Sequence, residues 1–558
     1  MPTTAASSSI GTPAKTASPS SSESLRADTQ RSMNHSSIAQ NDADIRAYAL
    51  RIQQKYQEER AKRVRPDGSS QYIELSRTDQ FQNFPDDLWA DNGESENNFD
   101  GSHFKFLIVG AGYGGILLAV RLIEAGIPAS DIHLVDTAGG FGGTWYWNRY
   151  PGLMCDIESY IYMLLIEEMG YVPENKYEYG PELRAHANAI ADKWGFKDRA
   201  IFRHEVKNVN WDDKRKEWIV RMMNIAGDPG SKEITVRSDF VLMSPGVLHH
   251  PKLPGVPGIE TFQGTTFHTS RWDYDSTGGS PTDPSLTKLH DKSVGIIGTG
   301  ATAVQLVPAV ARWAKHLYVF QRTPSSVNRR DNKPTDPEDW KENIATKKGW
   351  WRSRNESYNA CVAQSLPPNT TNLVDDEWTR IPTYFGLVGS PRTINPAEAS
   401  AFVTDLYAKD IPYAEKVRAR VSEIVKDDKT AEKLKHWYPS WCKRPTFHDE
   451  YLQAFNQPNV TLVHTDGKSV SHIISRGVVF ADKEYPVDTF IFATGYEIPA
   501  KRADHASRAG IDVVGRSGRN LTQKFAEKVD TLHGVMTRDF PNLLWTGPAQ
   551  AGISTNCT

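Results

Sequence analysis

The spacing of apolar residues changes several times along the chain, and each change predicts a different kind of element. Residues 1–40 are mostly Ser, Thr, Ala, Gln and Asn, with few large apolar side chains. Such a segment cannot bury enough area to offset the entropy of ordering, so a disordered tail is predicted. Residues 43–64 then adopt helical spacing. Ile45, Tyr48, Ile52 and Tyr56 fall on one face, while Glu58, Glu59, Arg60 and Lys62 are polar. This predicts a surface helix packed on the main body. Residues 65–103 are irregular and polar, and predict a wrap.

From Lys105 the pattern becomes strand–turn–helix. Phe106–Val109 is a buried-strand run, a Gly-rich turn follows, and Ile116–Glu124 is helical. Ile132–Asp136 is the next strand. The same order returns at Ser293–Ala311, with His316–Gln321 as its following strand. Trp211–Val220 and Lys232–Val236 predict a small β element between the two units. Residues 330–440 are rich in charge and Trp and predict an inserted helical region. Strand character returns at 459–463, 477–480 and 489–493.

Two βαβ units in one chain amount to a duplicated dinucleotide-binding design. The expected class is therefore α/β, with two Rossmann-like dinucleotide-binding domains, a helical insert and a disordered tail. The expected boundaries are a tail (1–40), a helix and wrap (41–103), and a first dinucleotide domain at 104–245 that returns at 487–558. A second domain spans 246–329 and returns at 439–486, with the insert at 330–438 between.

Composition narrows the class. A chain of 558 residues suggests three or four domains, or one interleaved body. The net charge of −3 carries no basic block, which sets nucleic-acid binding aside. Four cysteines, Cys155, Cys361, Cys442 and Cys557, make neither a disulfide framework nor a zinc-ligand spacing. The longest apolar stretch, Phe106–Val120, is broken by four glycines and is too short to span a bilayer. With no apolar signal core at the N-terminus, a reducing cytoplasmic compartment is expected.

The first turn reads Gly110-x-Gly112-x-x-Gly115. Gly110 permits the tight turn, Gly112 lets a pyrophosphate approach the helix N-terminus, and Gly115 allows close helix–strand packing. Asp136 ends the next strand, where a carboxylate can accept hydrogen bonds from a ribose. The second turn is Gly298-Thr299-Gly300-Ala301-Thr302-Ala303, and its following strand ends in Arg322 with no acid. An arginine pairs with a 2′-phosphate that a carboxylate would repel, which favours NADPH there. Two dinucleotide sites imply electron transfer between two cofactors, so FAD is assigned to the first. A loop from Gly142 to Gly152, ending at Asp156, is rigid and aromatic. It is equally compatible with walling a flavin and with core packing. The run Phe262 to Asp273, with a lone His268 and Trp272, has no chemistry legible in its residues alone.

These motifs together resemble the type I Baeyer–Villiger monooxygenases. The family pattern of Phe, Gly, His and Trp followed by Pro or Asp matches Phe262, Gly264, His268, Trp272 and Asp273. The Gly-Gly-x-Trp pattern matches Gly142, Gly143, Trp145, Tyr150, Pro151, Gly152 and Asp156, and Ala493-Thr-Gly495 and Lys443-Arg444-Pro445 also fit. The resemblance runs from about residue 104 to the end, and looks closest to fungal enzymes of terpenoid and meroterpenoid pathways. It implies an FAD- and NADPH-dependent conversion of a ketone and O2 to an ester or lactone. It implies that Arg444 sits by the flavin and stabilises its peroxide adduct as an anion, with Asp156 hydrogen-bonded to the arginine. Lys443 would join Arg322 and Thr323 on the 2′-phosphate. Thr144, Trp145, Tyr146, Trp147, Asp156 and Tyr162 would contact FAD, and Met154 and Cys155 the NADPH side. His268 and Trp272 would serve the hinge between the two domains. Heteroatom oxidation by a related flavin monooxygenase is the rival chemistry. A third expectation comes from the chain end at Gly547–Thr558, which stops before a stretch the family uses to complete its pocket and suggests an inactive truncated product.

Overall fold

The computed structural model describes residues 42–75, 81, 86–90, 99–226, 232–248, 250–497 and 504–546. The tail expected over 1–40, the side chain of Ile45 and the segment from Gly547 onward lie outside the described residues. Helix α1 (Asp42–Arg63) occupies the span that the apolar spacing predicts, and Ile52 and Tyr56 on the predicted face are buried. A short unit ends at Lys55 and a main body runs from Tyr56. In the wrap, β1 (Tyr72–Glu74) is the one strand among the described residues.

The first sheet is built on β2 (His103–Val109), followed by the Gly110 turn, α2 (Tyr113–Glu124) and β3 (Ile132–Val135). β4 (Ala200–Ile201), β5 (His204–Asp212), β6 (Glu217–Asn224) and β7 (Glu233–Met243) follow. β2, β3 and β4 pair in parallel, whereas β5, β6 and β7 form an antiparallel meander. The two halves share β7. Its first half is antiparallel to β6, and Arg237–Met243 runs parallel to β2. The strands predicted as a separate small β element therefore extend the first sheet. The predicted run Trp211–Val220 is also not one strand, because a turn at 213–216 splits it between β5 and β6. Apolar residues flank that charged turn on both sides, so the run looks continuous in sequence.

β8 (Lys252–Pro254) pairs antiparallel with β1. β9 (Thr265–His268), β10 (Ser293–Ile297), α3 (Ala301–Ala311) and β11 (His316–Gln321) open the second dinucleotide fold. β12 (Val327–Asn328) and β13 (Thr446–Phe447) make a small parallel pair. β14 (Val460–His464) precedes a three-stranded antiparallel flap of β15 (His472–Ile474), β16 (Gly477–Phe480) and β17 (Lys483–Pro486). β18 (Thr489–Phe492) then enters the second sheet, whose order is β14-β11-β10-β18-β9 with every pair parallel. This corrects the expected boundary at 487. The run 489–492 completes the second sheet, and the chain returns to the first only with β19 (Asp512–Val514) and β20 (Leu543–Trp545). β18 is wholly buried, as a central parallel strand must be, and an all-apolar strand does not reveal which sheet it joins.

One apolar core includes both turn helices, with Ile116 and Val120 of α2 and Val304 and Leu306 of α3 in the same cluster. The insert contains helices Trp350–Val362, Ala399–Ile424 and Asp428–Leu434. Its Tyr358, Trp378 and Tyr384 pack with Ile157, Ile161 and Phe447. That packing places the insert over the loop that carries Asp156.

Candidate active site

The two glycine turns are near copies. Gly110 and Gly298 have φ of +110° and +108°. A Cβ would stand 2.2 Å from the Ser244 carbonyl oxygen at the first and 2.4 Å from that of Ala493 at the second. Only glycine meets both demands. Gly112 and Gly300 cap α2 and α3 with the same extended backbone, and neither helix has a side-chain cap or an acid in its first turn. The N–H groups at each helix start and the positive end of each helix dipole can receive an anion. Gly115 closes α2 on its strand, where a Cβ would stand 1.9 Å from the Gly110 oxygen. Ala303 is fully buried at the equivalent place in α3.

The turns differ in what faces them. Nothing stands within 4 Å of a Cβ placed on Gly300. A Cβ on Gly112 would instead meet Gly143 at 3.3 Å, and Gly142 donates its N–H to the Ala111 oxygen at 3.1 Å. Gly112 thus serves close approach of the Gly142–Gly143 loop, a role that the motif alone does not suggest. Asp136 braces the turn, with Oδ2 accepting from the Ala111 N–H at 2.7 Å and Oδ1 from the Ala138 N–H at 2.9 Å. Burial holds its carboxyl above the ordinary range despite those bonds. A carboxylate has further lone pairs, so an acceptor for a ribose remains. The uncapped helices, the glycine turns and this carboxylate fit a dinucleotide at each turn.

A cavity of about 800 Å³ connects the second turn with the aromatic loop. Gly298, Thr299, Gly300, Ala301 and Thr302 line it, with Arg322, Thr323 and Lys443 nearby and Thr144, Trp145, Met154, Cys155, Asp156, Tyr162 and Arg444 across from them. Thr299 donates its hydroxyl to the Thr323 carbonyl at 2.9 Å. Arg322 donates to the Gln71 side-chain oxygen and, at 3.1 Å, to the Tyr72 hydroxyl. Burial, reinforced by the charges of Arg63 and Arg322, pushes the Lys443 ammonium down to about 8.

Arg444 grips Asp156 with both ends of its fork, at 2.6 and 2.7 Å. Burial would raise the Asp156 carboxyl, but the Arg444 charge and hydrogen bonds, aided by Arg330, hold it below its usual range. Arg444 itself is held above the arginine range, since its loss of water is outweighed by Asp156. Its side chain stays 47% accessible, facing the cavity. Two residues that the sequence reading missed fix the pair. Trp378 donates its indole N–H to the Asp156 carbonyl at 2.8 Å, and its ring centre lies 5.4 Å from the Arg444 guanidinium. Arg330, almost wholly buried, donates to the carbonyls of Cys155 and Phe447. Gln305 of α3 was missed as well. It accepts from the Tyr150 hydroxyl and donates to the Met154 carbonyl, both at 2.8 Å, so it ties the aromatic loop to the second turn. No local motif marks these three, because each acts on a segment remote in sequence.

Other expected residues point elsewhere. Thr144–Trp147 is a single helical turn, which spreads successive side chains around its axis. Trp145 therefore faces the cavity and bonds the Tyr162 hydroxyl at 3.2 Å. Tyr146 instead bonds Asp87 at 2.9 Å, and Trp147 lies under the Arg271 guanidinium at 3.9 Å. Neither lines the cavity, nor do Phe262, Gly264, His268, Trp272 and Asp273. Their roles in the fold are visible. A Cβ on Gly264 would stand 2.3 Å from the Asp488 oxygen, and Phe262 packs near Phe490. Trp272 bonds Thr277 at 3.0 Å, and Asp273 caps the next short helix. His268 ends β9, and burial lowers its imidazole to about 3, so it is neutral. Burial also pushes the Cys155 thiol up to about 12, which leaves it an inert thiol.

Two sheets each built on a parallel strand–turn–helix unit, two uncapped glycine turns and a cavity between the second turn and the aromatic loop define an oxidoreductase that binds two dinucleotides. A model of the NAD(P)-binding Rossmann-like domain matches residues 108–168. The chain is 50% identical to the polycyclic ketone monooxygenase of Thermothelomyces thermophilus, over 90% of this chain and 79% of that protein. It is 45% identical to the chermesin D/asnovolin J monooxidase of Aspergillus novofumigatus, over 91% of this chain and 78% of that one. The solved polycyclic ketone monooxygenase of Thermothelomyces thermophila superposes with a TM-score of 0.89 at 49% identity, covering 92% of this chain and 82% of that chain. OTEMO, solved with FAD and NADP, superposes with a TM-score of 0.61 at 26% identity, with 80% of each chain covered. The chain belongs to the type I Baeyer–Villiger monooxygenases. Among the described residues, no helix is long and apolar enough to cross a membrane.

Proposed function

We propose that this chain is an FAD-dependent, NADPH-consuming monooxygenase that inserts one oxygen of O2 next to a ketone carbonyl, giving an ester or lactone. Its substrate is a polycyclic terpenoid or meroterpenoid ketone of fungal secondary metabolism. FAD and NADPH, when bound, supply the electron transfer and oxygen activation that side chains cannot.

The observation that carries this reading is the Arg444 fork, held by Asp156 at the wall of the cavity that runs from the second turn to the aromatic loop. A fixed guanidinium there stabilises negative charge on an oxygen beside it. Asp156 keeps the fork oriented and stays ionised. Gly110, Gly112, Gly115 and Asp136 hold the flavin nucleotide. Gly298–Ala303, Arg322, Thr323 and Lys443 hold NADPH. Trp145 and Tyr162 wall the reacting end and exclude water. His268 and Trp272 act in the hinge between the two sheets. The free thiols Cys155, Cys361 and Cys442 are at home in a reducing, cytoplasmic compartment.

The test begins with the absorbance spectrum of the purified protein, which should be that of bound flavin. NADPH consumption is then followed with polycyclic ketones, amines and sulfides. Ketone-dependent consumption with a matching ester is expected. Oxidation of amines or sulfides with no ester from any ketone would overturn the reading.

A further inference from the structure

The N-terminal segment lies outside both dinucleotide folds, yet part of it reaches the second turn's site. We infer that Arg63, at the end of α1, is a third cation for the 2′-phosphate of NADPH, and that Gln71 and Tyr72 hold Arg322 in place for it. The inference rests on the NADPH reading above and goes beyond it by making the segment 63–72 a determinant of dinucleotide specificity.

Three observations converge. The Arg63 guanidinium lies 5.6 Å from the Tyr438 ring centre, and the Lys443 ammonium lies 5.2 Å from the same ring. Arg63 and Arg322 are both near enough to disfavour the charge on Lys443. Among the described residues, no carboxylate forms an ion pair with any of the three. The contrast within α1 is informative, because the adjacent Lys62 is paired with both Glu59 and Asp466, at 3.0 and 2.8 Å. Gathering three cations without a counter-charge is unfavourable, and a doubly charged phosphate reverses that sign.

The second strand of argument concerns Arg322. Its fork is held by the Gln71 side-chain oxygen and the Tyr72 hydroxyl. Tyr72 is fixed by the β1–β8 pairing opposite Pro254, and it lines the cavity. The Lys252 ammonium sits 4.2 Å from its ring centre. Neither acceptor carries a formal charge, so the full positive charge of Arg322 remains for an anion.

The competing explanation is that Arg63 only complements the α1 dipole, as basic residues in a last turn do. Calorimetric binding of 2′,5′-ADP and 5′-ADP to the wild type, Arg63→Ala and Arg63→Lys separates the two. The wild type should prefer 2′,5′-ADP. Arg63→Ala should lose about tenfold for 2′,5′-ADP and nothing for 5′-ADP, the size of one charge-assisted contact. Arg63→Lys should recover part of the loss. Tyr72→Phe should weaken 2′,5′-ADP alone, by about threefold, the scale of a modest hydrogen bond. A preference as large in Arg63→Ala as in the wild type, whether from no loss or from an equal loss for both ligands, would overturn the role of Arg63. A wild type without any preference would instead overturn the NADPH reading itself.

Discussion

Asp156 depends on Arg444, because a buried carboxylate is costly alone. Removing the arginine leaves a carboxylate whose burial raises its pKa, opposed only by the smaller effects of Arg330 and a backbone hydrogen bond. Arg444→Ala is expected to retain flavin absorbance while ester formation falls by about 10²–10³-fold, the typical scale for losing one charge-stabilising donor. Arg444→Lys keeps the charge but not the fork and should recover little. Product analysis beside the flavin spectrum checks both. Lys443 gives a pH prediction. With its ammonium at about 8, it is charged below that pH and neutral above it. Its attraction for a phosphate is present at low pH and lost as pH rises through about 8. NADP⁺ affinity measured from about pH 7 to about pH 9 should therefore weaken, and Lys443→Arg should flatten the profile, because arginine stays charged throughout.

The strand–turn–helix unit is the element on which the proposed dinucleotide binding rests. Its first glycine is demanded twice, by a positive φ and by a carbonyl oxygen in the place of a Cβ. Alanine there should cost on the order of 1–3 kcal/mol in local strain and shift the helix end from its ligand. Gly298→Ala is expected to leave flavin bound while NADPH no longer reduces it. Gly110→Ala should yield a protein that does not hold flavin. Anaerobic titration of each variant with NADPH, after its flavin content is measured, distinguishes them. Both turns and their flanking strands were legible, because tight turns and helix starts obey steric rules within a few residues. The orientation of Tyr146 and Trp147 was not. A one-turn helix has no periodic pattern long enough to show which side faces the cavity.

At the scale of the molecule, the two dinucleotide folds are joined through α3. Gln305 ties the Tyr150–Met154 loop to the helix of the second turn, and Gly152 admits that contact, since a Cβ there would stand 2.8 Å from the Gln305 carbonyl oxygen. Gln305→Leu should leave the Tyr150 hydroxyl and the Met154 carbonyl without these bonds, at a cost of about 1–3 kcal/mol. Thermal unfolding with and without NADP⁺ checks this. The expected result is a lower melting temperature in both conditions and a smaller stabilisation by NADP⁺ than in the wild type.

By itself the sequence determined the α/β class and the two dinucleotide turns, and it supplied the arginine on which the proposed 2′-phosphate preference of the second turn rests. Each depends on residues that are neighbours along the chain, so local sterics and charge suffice. It also carried the family resemblance that picked out Arg444 and Asp156. What only the tertiary structure decided is how remote segments meet. The two partners of that pair stand 288 positions apart. Trp378 and Arg330 reach them from the insert, Tyr72 reaches Arg322 from the wrap, and β18 joins the second sheet rather than the first. Such contacts are selected by the burial of a shared core and by strand pairing between distant segments, and neither leaves a mark on the residues next to them in the chain.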